Sequence, residues 1–427
     1  MKIKRAEAIE ILDSRGNPTI ETTITLEDCT KSSAMVPSGA STGEKEAFEL
    51  RDGDQKRYSG KGVLKAVNNV NTIISKEITN RNFADQKELD YFMIALDGTQ
   101  NKSKLGANAI LSVSMAYARA KAKSLKIPLY MYLSNDDNYI LPVPCMNVIN
   151  GGKHADNNVD FQEFMIAPHN AQSFKESIRI GQETFHALRY ILNKKGYSTG
   201  VGDEGGFSPD LKSNEEAVDI ILEAIVKAGY KPHTDVSICL DPATSELWDN
   251  GKYKMFKSSG KTLSSDEMIK MWESWVKQYP IVSLEDGLAE NDWNGWKQLT
   301  DALGNKIELV GDDLFCTNKK ILQDGINRNT ANSILIKLNQ IGTVSETMET
   351  IELAQKNKYN TFISHRSGET VDTFIADLTV GINAGHLKTG SGCRGERIEK
   401  FNRLLRIEHE LAGKSVFAGK QTFKNII

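Results

Sequence analysis

The chain is poor in cysteine, in long apolar runs and in excess charge of either sign, and each shortage excludes something. Five cysteines are spread over 427 residues: Cys29, Cys145, Cys239, Cys316 and Cys393. The number is odd and no two form a CxxC pair, so neither a disulfide framework nor a thiolate zinc site is indicated. Cys239 lies inside an apolar run and reads as inert core. Cys393 lies in a glycine-rich loop, with nothing nearby that marks it as a nucleophile. No apolar stretch approaches the length of a membrane span. The segment from Met1 to Ala8 lacks the apolar core of a signal peptide. A free-thiol, cytoplasmic protein is therefore expected. The formal net charge is −3 and the isoelectric point is about 6.2. That offers no basic footprint, so no nucleic-acid partner is expected. Internal repeats and low-complexity tracts are also missing.

What remains is an ordinary globular composition, 39% hydrophobic and 26% charged. The length suggests two domains, one of them barrel-sized at about 250 residues. The first forty residues read as strands. Thr19 to Leu26 alternates polar and apolar, Ser33 to Pro37 is a second short run, and Ser38 to Glu44 is a loop of small residues. Helical periodicity follows. Val63, Val67, Val70 and Ile74 fall on one face, and an Ala-rich helix runs from Ala107 to Ala122, with Pro128 barring its continuation. Strands followed by helices predict a separate α+β domain. The polar, turn-prone segment from Ser134 to Asn138 marks the boundary, giving domains of residues 1–133 and 134–427.

Beyond that boundary, six short apolar runs each stop on a charged residue: Asp241, Glu285, Asp312, Lys337, His365 and Lys388. Runs of this kind read as strands buried on both faces. Helical stretches separate them, several opening on possible capping boxes: Ser213 to Glu216, Ser264 to Glu267 and Thr343 to Glu346. The pattern predicts a (β/α) barrel, whose active site lies at the C-terminal ends of its strands. Alone, each acid reads as a helix cap or a surface ion pair. Three in register at a barrel mouth are costly without a cation, and their oxygens suit Mg²⁺.

The bases suit an anionic substrate and proton transfer. Alone, Lys337 is a lysine snorkelling to water; near other cations and low dielectric its pKa falls, making it a usable general base. His365-Arg366-Ser367, followed by Gly368, offers an imidazole, a guanidinium and a hydroxyl in succession, a cradle for phosphate. Lys388 adds a further cation. Two earlier segments carry acids: Gln162 and Glu163 within an apolar run, and Asp203 and Glu204 among glycines. Both fit close approach to a ligand, and the second also fits an ordinary turn. His154 is equally open to either reading.

Several of these segments are long enough to carry a resemblance. They are Asp13 to Thr19, Ser38 to Gly43, Gly202 to Phe207, Leu284 to Asp286, Lys337 to Thr343, His365 to Thr370 and Asn402 to Glu408. In this order, over nearly the whole chain, they resemble the enolases (phosphopyruvate hydratases). The resemblance implies an α/β fold: an N-terminal α+β cap on a modified (β/α)8 TIM barrel whose opening elements run ββαα. It implies reversible dehydration of 2-phospho-D-glycerate to phosphoenolpyruvate, with two Mg²⁺ per active site. By the family pattern, Lys337 removes the C2 proton and Glu204, kept protonated by a raised pKa, serves the departing hydroxyl. Asp241, Glu285 and Asp312 hold the first Mg²⁺; Ser41, or alternatively Ser38, contacts the second. Arg366, Ser367 and Lys388 bind the substrate's anionic groups, with His154, Gln162, Glu163 and His365 lining the site. A homodimer or larger homo-oligomer is also implied.

Three positions depart from the family pattern: Gly395 where serine or threonine is usual, Val371 in place of an acid, and Lys153 beside His154. Gly395 is expected to loosen its loop and Lys153 to alter the field at His154. Two other functions compete. A superfamily dehydratase or racemase would not need the phosphate cradle. An enolase scaffold with an additional surface-binding role, including surface display, leaves the chemistry intact and is the alternative reading.

Overall fold

Alternating runs rich in valine and isoleucine close on themselves here because both faces of each strand find apolar cover. The computed structural model describes residues 1–423 apart from Ser41 and Asn135. Eight strands form the barrel: β4 (Val143–Asn150), β5 (Glu163–Ala167), β6 (Ser237–Asp241), β7 (Ile281–Glu285), β8 (Glu308–Gly311), β9 (Ser333–Ile336), β10 (Asn360–Ser364) and β11 (His386–Lys388). Every residue in them is buried except Asn360. All neighbours pair in parallel except β5, which runs antiparallel to both β4 and β6. The opening order is therefore ββαα, the helices being Phe174–Lys194 and Asn214–Lys227.

The reversal of β5 matters for chemistry. A strand running the other way presents its first residue, not its last, at the mouth. Glu163 opens β5 and pairs in register with Asp241, which ends β6. The interior is filled by side chains such as Val143, Met165, Val282, Leu335 and Phe362, closed below by Phe423. Cys145 and Cys239 belong to this packed layer, in keeping with an inert core reading.

The first three strands, β1 (Ile3–Leu12), β2 (Pro18–Leu26) and β3 (Lys31–Met35), form an antiparallel meander. The Ala-rich helix Ala107–Ser124 lies on it, with Thr22 and Ser112 hydroxyls 2.6 Å apart. Its other side meets the barrel, where Ser114 Oγ accepts from the backbone N–H of Val344 at 3.0 Å. Burial on two sides explains why its sequence favours small residues over a single stripe. The three helix starts read from sequence are all capped by a side chain. Ser264 and Glu267 form the full reciprocal box, whereas Ser213 and Thr343 each accept from the N–H three residues on. Strand β4 was not legible in advance; Pro144 and the asparagines at 147 and 150 disguise its apolar run.

Candidate active site

Parallel strands deliver their C-terminal ends to one rim, so Asp241, Glu285 and Lys388, which end strands, and Asp312, Lys337 and His365, which directly follow them, converge without any long-range design beyond the barrel itself. The Lys388 ammonium lies 2.9 Å from Asp241, 2.8 Å from Glu285 and 3.2 Å from Glu163, all buried. Burial opposes its charge, but the three acids outweigh burial and raise its pKa well above the ordinary lysine value. Three acids share this one ammonium. Burial, and then Asp241, pushes Glu285 well above the usual carboxylate range. Burial, and then Glu204, does the same to Glu163. Glu163 Oε2 has no hydrogen-bond partner.

Asp312 is held differently. One oxygen faces the Lys337 ammonium and the other accepts from the Gln340 amide at 2.8 Å. Burial would raise Asp312, yet Lys337 outweighs it and keeps the carboxyl below its usual range. The reciprocal effect corrects the expectation for Lys337: burial works to lower its pKa, but Asp312 lifts it above the ordinary value. Among the described residues, Asp312 groups most tightly with Asp286 and Asp313, their oxygens all within 4.8 Å, rather than with Asp241 and Glu285.

Glu204 sits on the Gly202–Gly206 turn, buried. Asn147 Nδ2 donates to its Oε2 at 3.0 Å, His365 Nε2 lies 3.2 Å from the same oxygen, and His154 Nδ1 lies 3.5 Å from Oε1. Burial pushes Glu204 upward, while charge on His365 or His154 pulls it well below the usual range. Burial in turn lowers both imidazoles, His365 to about 3. Glu204 therefore lies below its usual range, in contrast with the raised carboxyl expected from sequence. Arg366 is clamped by Glu46, with N–O distances of 2.9 and 3.1 Å, and donates to Asn339 at 3.0 Å.

A small cleft opens between these groups, lined by His154, Gln162, Glu163, Glu204, Asp241, Lys337, His365, Arg366, Ser367 and Lys388. Glu285 and Asp312 stand behind it, through Lys388 and Lys337. Ser41 lies outside the described residues. Ser38 is buried and its hydroxyl donates to Glu49 at 3.1 Å.

The two stretches of the chain match known families. Residues 3–133 match the enolase N-terminal domain, and residues 138–426 match the enolase C-terminal TIM barrel domain. The chain is also 74% identical over 425 residues to Enolase 1 of Chlorobaculum tepidum, covering 100% of both chains. The chain belongs to the enolase family. It is accordingly a phosphopyruvate hydratase, the glycolytic lyase that reversibly dehydrates 2-phospho-D-glycerate to phosphoenolpyruvate.

The enolase motifs near the N-terminus find their purpose in this geometry. Ser38 and Gly368 exchange two backbone hydrogen bonds of 2.8 Å, fastening the small-residue loop to the His365–Gly368 segment. A Cβ on Gly368 would meet Arg15, Asp13 and the Ser38 carbonyl within 2.6–2.8 Å, so only glycine fits. Ser14 N donates to the Glu369 carbonyl at 2.7 Å, and Glu369 N donates to Ser14 Oγ at 3.1 Å. The Asp13–Thr19 motif, distant in sequence, thus braces the His365–Thr370 segment directly.

Reasoning from sequence missed Arg397, Glu46 and Asn147. The guanidinium of Arg397, fully buried, lies 2.6 Å from His365 Nδ1 and donates to the carbonyls of Arg366, Ser367 and Asp203. The helix Gly395–Leu411 carries it one turn from Arg394, whose Nη2 reaches the Ser14 carbonyl at 2.7 Å, and one turn from buried Lys400. Three cations at i, i+3 and i+6 on one face were the available signal. The departures are mild. Nothing lies within 4 Å of a Cβ built on Gly395. Lys153 pairs with Glu246 at 2.6 Å on the rim, and Val371 is exposed.

Proposed function

We propose that Lys337 takes the C2 proton of 2-phospho-D-glycerate and that Glu204, with His154 and His365 beside its carboxylate, serves the departing C3 hydroxyl. One observation carries this reading: a lysine that directly follows β9 and a carboxylate on the Gly202–Gly206 turn line the same small cleft. General acid–base chemistry needs such opposed groups at hydrogen-bond reach of one ligand. Lys337 acts as a base once the charge of Asp312 is engaged elsewhere. His365, Arg366, Ser367 and Lys388 orient the phosphate and carboxylate, with His154, Gln162 and Glu163 as the remaining wall.

The donor set fits Mg²⁺. Glu163, Asp241 and Glu285 outnumber the one ammonium between them, and all are hard oxygen donors. Asp241, Glu285 and Asp312 would hold a first ion, and Ser41 would contact a second. When bound, the ions supply positive charge where proton removal beside a carboxylate builds negative charge. Domains of residues 1–133 and 134–427, a cytoplasmic location and a homodimer or larger homo-oligomer complete the proposal; the two matched stretches support the division. The alternative surface-binding role finds no support in the comparisons. The test is the growth of phosphoenolpyruvate absorbance from 2-phosphoglycerate, with and without Mg²⁺, in wild type and Lys337→Ala. Normal Mg²⁺-dependent turnover in the variant sinks the assignment.

A further inference from the structure

A guanidinium carries only N–H groups; it has nothing with which to accept. Arg397 Nη1 lies 2.6 Å from His365 Nδ1, so that nitrogen must offer its lone pair. A neutral imidazole has one lone pair and one N–H, which leaves the proton on Nε2. An imidazolium is disfavoured, because it would turn a second N–H against the guanidinium. The Nε2 atom faces the cavity, 3.2 Å from Glu204 Oε2 but not aligned for a full hydrogen bond. We infer that Arg397 is a positioning residue that fixes His365 as the Nε2–H tautomer, so that the site meets its ligand with an N–H and not with a lone pair.

The same planar group does more than orient one ring. Nη1 also donates to the Arg366 carbonyl, and Nη2 to those of Ser367 and Asp203, at 2.6, 2.6 and 3.0 Å. Asp203 adjoins Glu204, and Arg366 and Ser367 are the anion cradle. One buried fork therefore joins the two walls of the cavity and sets the donor between them. A lysine ammonium has three donors on one point and cannot span these acceptors. The inference depends on the proposed role of Glu204 only for its effect on turnover; the tautomer stands or falls by itself.

The experiment is ¹⁵N NMR of the full chain, histidine-labelled, in the presence of Mg²⁺ at neutral pH. The His365 signals are assigned by their loss in His365→Gln. The expected pattern is an unprotonated Nδ1 and a protonated Nε2. A protonated Nδ1, or protonation of both nitrogens, overturns the inference, and this reading needs no variant of Arg397 to fold. In Arg397→Met, His365 should become a tautomer mixture and kcat should fall about a hundredfold, the cost of a small misplacement, with KM rising far less. Arg397→Lys should restore the tautomer and only part of kcat. Unchanged His365 signals in Arg397→Met also overturn the inference.

Discussion

Two buried ionic clusters sit at opposite ends of one barrel, and they are finished to different standards. At the base, Glu308 opens β8 and His386 opens β11, each fully buried. Both Glu308 oxygens face His386 Nε2, at 3.1 and 3.0 Å; one also accepts from Asn360 at 2.8 Å and the other from Ser283 at 3.0 Å. Phe362 stacks on the imidazole and Phe423 closes over it. At the mouth, by contrast, Glu163 Oε2, Gln162 Oε1, His154 Nδ1 and Asn147 Oδ1 are buried without partners. Leaving such atoms unpaired costs free energy that the Glu308–His386 cluster avoids. The mouth bears that cost because a ligand completes it; the base has nothing to wait for.

The contrast can be broken from either end. The largest effect should come from Lys337→Ala, which removes the proposed base and should lower turnover about 10³-fold with the fold retained. Steady-state kinetics beside a thermal melt checks both halves. Next, Glu308→Ala should do the reverse. Removing one member of a buried pair leaves the other uncompensated and should cost about 3–5 kcal/mol of stability, measured by denaturant unfolding. Turnover per folded molecule should hold.

The same cluster gives a pH signature. Burial raises Glu308, but His386, with Asn360 and Ser283, outweighs it and holds the carboxyl below 4.5. A depressed acid contributes stability above its unfolded pKa and loses it as pH falls through the folded value. Glu308→Gln should therefore flatten the stability curve below about pH 4.5. An unaltered acid limb would show that the pair is not what titrates.

Mouth substitutions should be cheap in stability and dear in metal. Asp241→Asn, Glu285→Gln and Asp312→Asn should each weaken Mg²⁺ binding by at least about 10–100-fold, the cost of losing even an outer partner of a metal site. Calorimetric titration of the three variants decides it; normal affinity in all three would make the cluster structural. The smallest effect should be at Gly395. With open space around its Cβ position, Gly395→Ser should change stability by no more than about 0.5 kcal/mol and leave turnover unchanged.

Legibility followed the same division. Residues that end a strand were readable, because a buried run terminating in charge states its own direction; Asp241, Glu285 and Lys388 are of this kind. Glu163 was visible as an acid in an apolar run, but its place beside Asp241 depends on an antiparallel strand that no local pattern announces. Arg397 was hidden because its helix reads as an ordinary amphipathic surface, and only the fold turns that cationic stripe inward. Glu308 and His386 each sit at the start of an apolar run, and their pairing is visible only across the barrel. The raised pKa expected for Glu204 and the lowered one expected for Lys337 missed their nearest partners, His365 and Asp312, for the same reason. The small-residue loop is tied at its first residue, Ser38, to Gly368, a link across most of the chain that no local pattern states.

The central claim is that base and acid are different groups, Lys337 after β9 and Glu204 on the Gly202–Gly206 turn. Hydrogen exchange at C2 of 2-phosphoglycerate, followed in deuterated water for Lys337→Ala and Glu204→Gln side by side, tests it most directly. The account predicts no exchange in the first, and continued exchange without phosphoenolpyruvate formation in the second. Exchange persisting in Lys337→Ala, or lost equally in both, would contradict it.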